Sequence, residues 1–252
     1  MDWKNLMNAN QLKLMMMGLM VLDHLAPLLP PQLVVPFNLI TRCVGVFFGF
    51  MAVEGFHYTR SRKNYLLRLY GWAGFMFLGN TLINTLIVKN PALGIHNNIF
   101  LTLAIGVSII WAIDFSRRIK EPFFRILALL VALILTIVAL LGLVEGGFVV
   151  VPFMLISYFF REQSRKRTIG YIIFSLILLS MNLIGLPDYS IDTLKMVMIM
   201  NPDFLFITVL PFIALYNGKK GSNQPIFKYI FYIFYPAHLW LITLIAFYFN
   251  QA

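Results

Sequence analysis

Apolar runs long enough to cross a lipid bilayer recur from one end of the 252-residue chain to the other. A transmembrane helix needs about 20 mainly apolar residues, and proline or glycine separates most of the runs. The pattern predicts an all-α, polytopic membrane helix bundle with about nine spans (range 8–10), forming a single domain over residues 1–252. The predicted spans are residues 11–30, 37–57, 65–87, 98–115, 124–143, 147–160, 169–185, 197–215 and 228–249.

The composition agrees with a membrane protein, because 60% of the residues are hydrophobic and only 12% are charged. Soluble domains carry about twice that share of charge. Cys43 is the only cysteine, which excludes an intrachain disulfide and a cysteine-cluster metal site, and no metal is predicted. The net charge of +10 does not indicate a nucleic-acid partner, because the basic residues lie in short loops between apolar runs.

These basic loops predict the topology. Fifteen of the twenty lysines and arginines lie in loops around residues 60–68, 117–125, 161–167 and 219–228, whereas the intervening loops hold only Lys89 and Lys195. Cytoplasmic loops carry the excess of lysine and arginine. We therefore expect a multi-pass protein of a bacterial-type inner or plasma membrane, surrounded by membrane lipid, with the N-terminus cytoplasmic and the C-terminus external.

Three ionisable residues of the first predicted span are candidate site residues. Lys13 and His24 are eleven residues apart, so they share one helix face and lie roughly 16 Å apart along the axis. An ionisable residue inside a membrane span is a functional candidate, and histidine takes and returns protons near neutral pH. The alternatives are a packing histidine and a lysine that extends to the interface. Asp23 points about 100° away from His24, so it serves another partner unless a different helix supplies the orienting carboxylate.

The second and third predicted spans carry three more charged candidates. Arg42 and Glu54 are too far apart in one helix to pair, so each needs a partner elsewhere in the bundle. Ion pairs between helices and a role in a site are both open for these two residues. Arg68 lies a few residues inside the third span, and arginine suits bidentate binding of phosphate.

The C-terminal part of the chain supplies a basic turn and a second deep histidine. The glycine-flanked segment 216–222 contains Lys219 and Lys220 and predicts an anion-binding nest of backbone amides. His238 lies near the middle of the last span. Pro236, two residues before it, is expected to open that helix, and broken helices in membranes line cavities.

These stretches resemble the TraX family of F-pilin acetylase-like integral membrane proteins. The matching segments are the Lys13–His24 span, Val53–Tyr70, Asn97–Ala104, Leu215–Ser222 and Tyr232–Trp240. A wider resemblance is to the acyltransferase-3 membrane family, in which a basic residue precedes a histidine by eleven positions, as Lys13 precedes His24. Arg68 is similar to that family's arginine after the second span.

The resemblance implies an acyltransferase, most simply an acetyltransferase that uses acetyl-CoA from the cytoplasmic side and an acceptor amine or hydroxyl at the outer face. It implies His24 as general base, and Lys13 and Arg68 as ligands of the CoA phosphates, with Lys219 and Lys220 as further candidates. Asp23, Arg42, Glu54 and His238 would shape or polarise the site. The acceptor is a protein N-terminus, a glycan or a small molecule, because nothing in the sequence identifies pilin.

The alternative function is a multi-pass transporter or channel with a buried polar site. A transporter also explains buried charges and a broken last helix. An odd number of spans and the absence of an inverted repeat in the sequence argue against it. Retention of CoA would distinguish the two functions, because a transporter has no need to bind it.

Overall fold

The computed structural model describes residues 6–89, 94–184, 186 and 188–249, and over these residues the chain is all-helical. This confirms the predicted fold class. The α-helices are α1 (Ala9–His24), α2 (Pro31–Thr41), α3 (Cys43–Tyr58), α4 (Arg62–Leu82), α5 (Ile99–Arg118), α6 (Pro122–Leu140), α7 (Gly147–Phe159), α8 (Ser164–Leu183), α9 (Ile191–Met200), α10 (Leu210–Leu215) and α11 (Pro225–Phe249). Short 3-10 helices cover Ala26–Leu28 and Pro202–Val209, and a π-helical segment, Ile83–Val88, extends α4.

Several of these helices are long and apolar enough to cross a membrane, so the chain is a multi-pass membrane protein. Within the described residues six helical segments qualify, namely Gln32–Tyr58, Arg62–Val88, Ile99–Arg118, Pro122–Leu140, Ser164–Leu183 and Tyr229–Phe249. A seventh results if Ile191–Met200 and Pro202–Leu215, which are bent by 65° at their junction, form one broken span. The predicted count of nine is therefore not confirmed.

The difference between nine and seven comes from two short helices, α1 and α7. Helix α1 ends at His24 after 16 residues, because Pro27 and Pro30 follow closely and the chain turns through a 3-10 helix. Helix α7 has 13 residues and begins after Gly146, whose φ is +61°. At 1.5 Å per residue these helices are about 24 Å and 20 Å long, less than the hydrocarbon core of about 30 Å.

The described residues group into two compact units, and the prediction of a single domain stays a prediction. One unit comprises residues 48–87 and 96–167. Helix α5 is its most buried helix and packs against α4, α6 and α7. Gly106 on α5 permits the close approach of α7, because an added Cβ would lie 2.5 Å from the sulfur of Met154.

The other unit comprises residues 1–47, 88–95 and 168–252. In it α1 packs against α2 and α11, and α2 contacts the 3-10 helix Pro202–Val209. The hydroxyl of Ser175 on α8 donates to the carbonyl of Phe204 at 2.7 Å, which ties α8 to that 3-10 helix. Helix α11 continues through Pro236. The expectation that Pro236 opens the last helix was wrong, because a proline removes only one backbone donor and the rest of this 25-residue helix remains bonded.

Candidate active site

Two histidines from different helices meet in the unit that contains α1 and α11. His24 is the last residue of α1, and His238 lies in the middle of α11. Nδ1 of His24 is 3.2 Å from Nε2 of His238, and the ring centroids are 5.1 Å apart at an angle of 64°. The two candidate histidines that the sequence placed deep in the membrane are therefore hydrogen-bonded neighbours.

The hydrogen bonds of this pair determine where each ring carries its proton. Nδ1 of His24 lies 2.8 Å from the carbonyl oxygen of Met20, and Nδ1 of His238 lies 2.7 Å from that of Phe234. A carbonyl oxygen only accepts hydrogen bonds, so both Nδ1 atoms carry a proton. Nε2 of a neutral His238 is then an acceptor, and the Nδ1–H of His24 is shared between it and Met20.

When the His24 ring is neutral, the same assignment leaves its Nε2 with a lone pair. Among the described residues, no hydrogen bond is made to this nitrogen. The ring is half-buried rather than enclosed. A neutral imidazole with its Nδ1–H anchored and its Nε2 open has the geometry of a general base.

Aromatic side chains of α11 hold the pair in place. Phe234 stacks on the His238 ring with the centroids 4.9 Å apart and an interplanar angle of 17°. Tyr235 contacts both histidines edge-on, with its centroid 6.4 Å from His24 and 5.7 Å from His238. Since these residues lie within one turn of His238, the helix itself supplies the supporting surface.

A charged cluster lies next to the histidine pair and contains two of the predicted residues, Asp23 and Arg42. The guanidinium of Arg42 is 3.2 Å from Asp23 and 3.7 Å from Asp203, and its Nε donates to the carbonyl of Asn38 at 2.9 Å. The hydroxyl of Thr41 also donates to Asp23. In the described part of the chain the Asp23 carboxylate bonds to Thr41 and Arg42, so it serves a partner other than His24.

Arg42 lies at one break in the helical structure and forms ion pairs with residues at two others. It occupies the turn between α2 and α3, Asp23 is the residue before the end of α1, and Asp203 lies in the first turn of the 3-10 helix after the 65° bend. Breaks in membrane helices free backbone groups, and they are tolerated where polar groups or a cavity satisfy those groups. Arg42 satisfies one such group itself through the Asn38 carbonyl.

Lys13 lies on α1 about three turns before His24. Its ammonium lies 5.1 Å from the centroid of the Phe231 ring, and the charge of Lys220 acts on it repulsively. No carboxylate in the described residues forms an ion pair with Lys13. The neighbourhood of Lys13 and Lys220 is therefore a region of positive charge that the described carboxylates leave uncompensated.

The loop 217–222 fastens this basic region to the start of α1. The amide of Ala9 donates to the carbonyl of Lys219 at 2.9 Å, and that of Asn10 donates to Lys220 at 3.2 Å. The side-chain amide of Asn10 donates to the carbonyl of Ser222 at 2.9 Å. The first amides of a helix lack partners within the helix, so the loop carbonyls cap α1.

The predicted anion nest stays a prediction, although one of its backbone amides already has a partner. The loop presents the carbonyls of Lys219 and Lys220 to α1, and the amide of Lys219 donates to the side chain of Asn217 at 2.9 Å. Gly218 and Gly221 adopt φ values of +75° and +90°, which produce this turn. The side chains of Lys219 and Lys220 are further candidate ligands for an anion at this loop.

Two predicted residues, Glu54 and Arg68, belong to the other unit. Glu54 accepts a hydrogen bond from Nε of Arg161 at 2.8 Å and is buried, so it has the partner that the sequence required. The guanidinium of Arg68 lies 5.5 Å from the centroid of the Tyr65 ring. The structure thus brings Lys13, Asp23, His24, Arg42, His238, Lys219 and Lys220 into one unit, and it places Glu54 and Arg68 in the second.

Sequence reasoning missed the partners that complete the cluster. Asp203 lies within the predicted span 197–215. An aspartate inside a membrane span is a signal for a cationic partner, which here is Arg42. Tyr235 lies one turn before His238 in the same helix, so its contact was predictable from spacing. Thr41 and Phe231 have no comparable signal.

The comparisons with known proteins identify the family of the chain. A family model described as TraX protein matches residues 8–246. No curated protein and no solved structure matches the chain. The match covers nearly the whole chain, including both histidines and the loop that caps α1. The chain belongs to the TraX family.

Proposed function

We propose that this protein is a membrane-embedded acyltransferase that moves an acetyl group from acetyl-CoA to an amine or hydroxyl acceptor. One observation carries the proposal: among the described residues no hydrogen bond is made to Nε2 of His24, while its Nδ1 lies 2.8 Å from the Met20 carbonyl oxygen and 3.2 Å from Nε2 of His238. In the neutral ring this leaves an open lone pair on Nε2. Membership of the TraX family and the resemblance to acyltransferase-3 proteins support the same chemistry.

In the proposed reaction Nε2 of His24 takes the proton of the acceptor's N–H or O–H group. The acceptor atom then attacks the thioester carbonyl carbon, the new C–N or C–O bond forms and the C–S bond breaks. The leaving thiolate takes the proton back from His24 and becomes the free thiol. The enzyme therefore returns to its starting protonation state, and no metal or redox cofactor is required.

The donor phosphates are proposed to bind the basic region near the start of α1. The positive charge of Lys220 acts repulsively on Lys13, and an anion bound near both side chains would offset this repulsion. Lys219 lies in the same loop, whose carbonyls cap α1. Arg68 remains a candidate from the family resemblance alone, and its contribution is open to direct measurement.

The helix geometry supports binding of the acetyl-CoA phosphates at the start of α1 and acyl transfer at its end, where His24 lies. Helix α1 begins against the loop 217–222, and α11 begins three residues after Ser222, so the two helices enter the unit in parallel. His24 and His238 are 15 and 13 residues from the first residues of their helices, or about 22 Å and 20 Å. The basic loop favours the cytoplasm for the shared starting end. The acceptor would then reach His24 from the outer half of the membrane.

A transporter is the second candidate, and the bent pair around Met200 favours it. Transporter sites commonly lie at broken helices near the middle of the membrane. The two candidates differ in donor binding. Purified protein that retains acetyl-CoA, detected by mass spectrometry, supports the acyltransferase, and protein that never binds CoA contradicts it.

The sharpest test of the proposal changes His24. His24→Gln keeps hydrogen-bonding capacity but cannot act as a base, so single-turnover acetyl transfer should slow by roughly 10²–10⁴, as it should for His24→Ala. Acetyl-CoA binding should stay near the wild-type value, because the proposed phosphate ligands lie about three turns away. His57→Gln is the matched control, since His57 is an exposed histidine at the end of α3. Retention of most of the activity in His24→Gln would remove His24 from the chemistry.

A further inference from the structure

The hydrogen bond between His24 and His238 assigns a specific role to the second ring. Nε2 of His238 is the acceptor and Nδ1 of His24 the donor, because the proton on Nδ1 of His238 is committed to the Phe234 carbonyl at 2.7 Å. When Nε2 of His24 gains a proton, His24 becomes an imidazolium whose Nδ1–H still points at His238. Hydrogen bonds to charged groups are stronger than those between neutral groups.

Two roles are possible for an acceptor in this place. His238 could take the Nδ1 proton completely and act as a proton relay, or it could hold His24 by a shared hydrogen bond without transfer. Complete transfer would leave a bare Nδ1 lone pair on His24 at 2.8 Å from the Met20 carbonyl oxygen, where two acceptors repel each other. The Met20 carbonyl therefore opposes the relay and favours the shared bond.

We propose that His238 is a positioning residue for His24. It accepts the second branch of a three-centre hydrogen bond from Nδ1–H, directs Nε2 towards the acceptor, and stabilises the imidazolium that forms during transfer. The inference rests on the proposed function, since it assigns His24 as the base. In the described residues the ionisable groups around the pair are Asp23 of α1, Tyr235 of α11, and Arg42 and Asp203 of the neighbouring cluster.

The packing of His238 is suited to this role. Phe234 stacks on one side of the ring, and the Phe234 carbonyl binds the far nitrogen. The ring is 7% exposed, so its orientation is fixed by its surroundings rather than by solvent. Because the ring and the carbonyl of Phe234 fix the orientation of His238, His238 in turn restrains the His24 ring to which it is hydrogen-bonded.

The kinetic test compares two substitutions that differ in one property. His238→Gln provides a carbonyl acceptor near the place of Nε2 but cannot be protonated, whereas His238→Leu fills similar space without an acceptor. The expected result is near-normal transfer for His238→Gln and a loss of roughly ten- to hundredfold for His238→Leu, the size of one hydrogen bond to a charged group. A thermal-unfolding midpoint near wild type for His238→Leu excludes simple misfolding. If His238→Gln is as slow as His238→Leu, His238 relays the proton and the positioning role is overturned.

A second measurement does not depend on acyl transfer. The chain has four histidines, so 15N NMR of the detergent-solubilised protein labelled at histidine is assignable by substituting each of the four in turn. We expect His24 to be protonated at Nδ1, with an Nδ1–H resonance that shifts strongly in His238→Leu and little in His238→Gln. A His24 protonated at Nε2, or a resonance unchanged in His238→Leu, would overturn the proposal. Because the spectra need no substrate, they separate failure of this inference from failure of the acyltransferase proposal.

Discussion

The backbone amide of Ala9 donates a hydrogen bond to the carbonyl oxygen of Lys219 at 2.9 Å, across 210 residues of sequence. Together with the bonds between Met7 and the segment 215–217, it places the start of α1 and the loop 217–222 on the same side of the bundle. The charge pattern predicts a cytoplasmic position for this loop. With that orientation, α1 would enter the membrane from the side on which the proposed donor, acetyl-CoA, is available.

The first prediction tests this topology by cysteine labelling. Leu6→Cys and Ser222→Cys should both react with an impermeant thiol reagent only from the cytoplasmic side, since Leu6 precedes α1, Ser222 ends the loop that caps α1, and both residues are exposed. Tyr189→Cys, in the loop before α9, should react from the outside. Cys43 is buried and serves as the unreactive background. Labelling of Leu6→Cys and Ser222→Cys from opposite sides would contradict the capping bonds.

The charge pattern also bears on α7. The basic loops 117–125 and 161–167 are separated only by α6 and α7, so both loops reach the cytoplasm only if α7 crosses the membrane. A helix of 13 residues is short for that task, but the bilayer thins locally around short spans. Glu145→Cys, between α6 and α7, should accordingly be labelled from the outside. Labelling from the cytoplasm would make α7 a re-entrant helix.

The second prediction concerns Gly221, which lies where the loop meets α1. Its φ is +90°, and an added Cβ would lie 2.5 Å from Oδ1 of Asn8. Asn8 is the N-cap of α1, and its Oδ1 accepts from the amide of Gln11. Gly221→Ala should therefore destabilise the protein by about 1–3 kcal/mol, through backbone strain and displacement of this capping side chain. Thermal unfolding in detergent measures this effect. Gly18→Ala is the control, because nothing lies within 4 Å of its added Cβ and alanine favours the helix.

The third prediction concerns the ion pair of Arg42 and Asp23, whose side chains are 29% and 23% exposed. Arg42→Gln should destabilise the protein by about 1–3 kcal/mol, because it leaves a half-buried carboxylate uncompensated. The double variant with Asp23→Asn should lose less than the sum of the two single variants, which a double-mutant cycle would detect. Lys195→Ala breaks an exposed pair with Asp192 and should change stability by less than about 1 kcal/mol. Additive effects at Arg42 and Asp23 would contradict a coupled pair.

Hydropathy predicted the helices well and their ends poorly. Each of the nine predicted spans overlaps a helix or, for residues 197–215, a chain of short helices, because burial in lipid demands long apolar runs. The end of α1 escaped prediction because Leu25, Pro27 and Leu28 are apolar, so hydropathy continues where the helix stops. The unbroken α11 shows the reverse error: Pro236 was expected to open the helix, but it removes only one backbone donor and the helix continues through it.

The sequence named candidate residues for the site but did not predict which of them would be in contact. Helical spacing brought Lys13 and His24 to one face, and depth alone suggested that His238 mattered. The contact of His24 with His238 joins residues 214 positions apart, and no local pattern encodes such a contact. The same holds for Arg42 and Asp203, whose proximity depends on a bend that only the folded chain reveals.

The last prediction tests the basic region as the donor site. Lys13→Ala should weaken acetyl-CoA binding by roughly tenfold to a hundredfold, because each charge-assisted bond to phosphate contributes about 1.5–3 kcal/mol. Arg68→Ala in the same assay measures the contribution that the family resemblance implies. Lys195→Ala, an exposed lysine paired with Asp192, is the charge-matched control and should bind normally.

The nature of the contact is tested with a shortened donor. Acetyl-pantetheine carries the thioester but none of the phosphates of acetyl-CoA, so Lys13→Ala should leave its transfer rate at subsaturating concentration nearly unchanged. A loss of rate with acetyl-CoA alone identifies Lys13 as a phosphate ligand, since the charge then matters only when phosphate is present. An equal loss with both donors would mean that Lys13 acts through α1 on His24, and the phosphate site would have to be sought elsewhere.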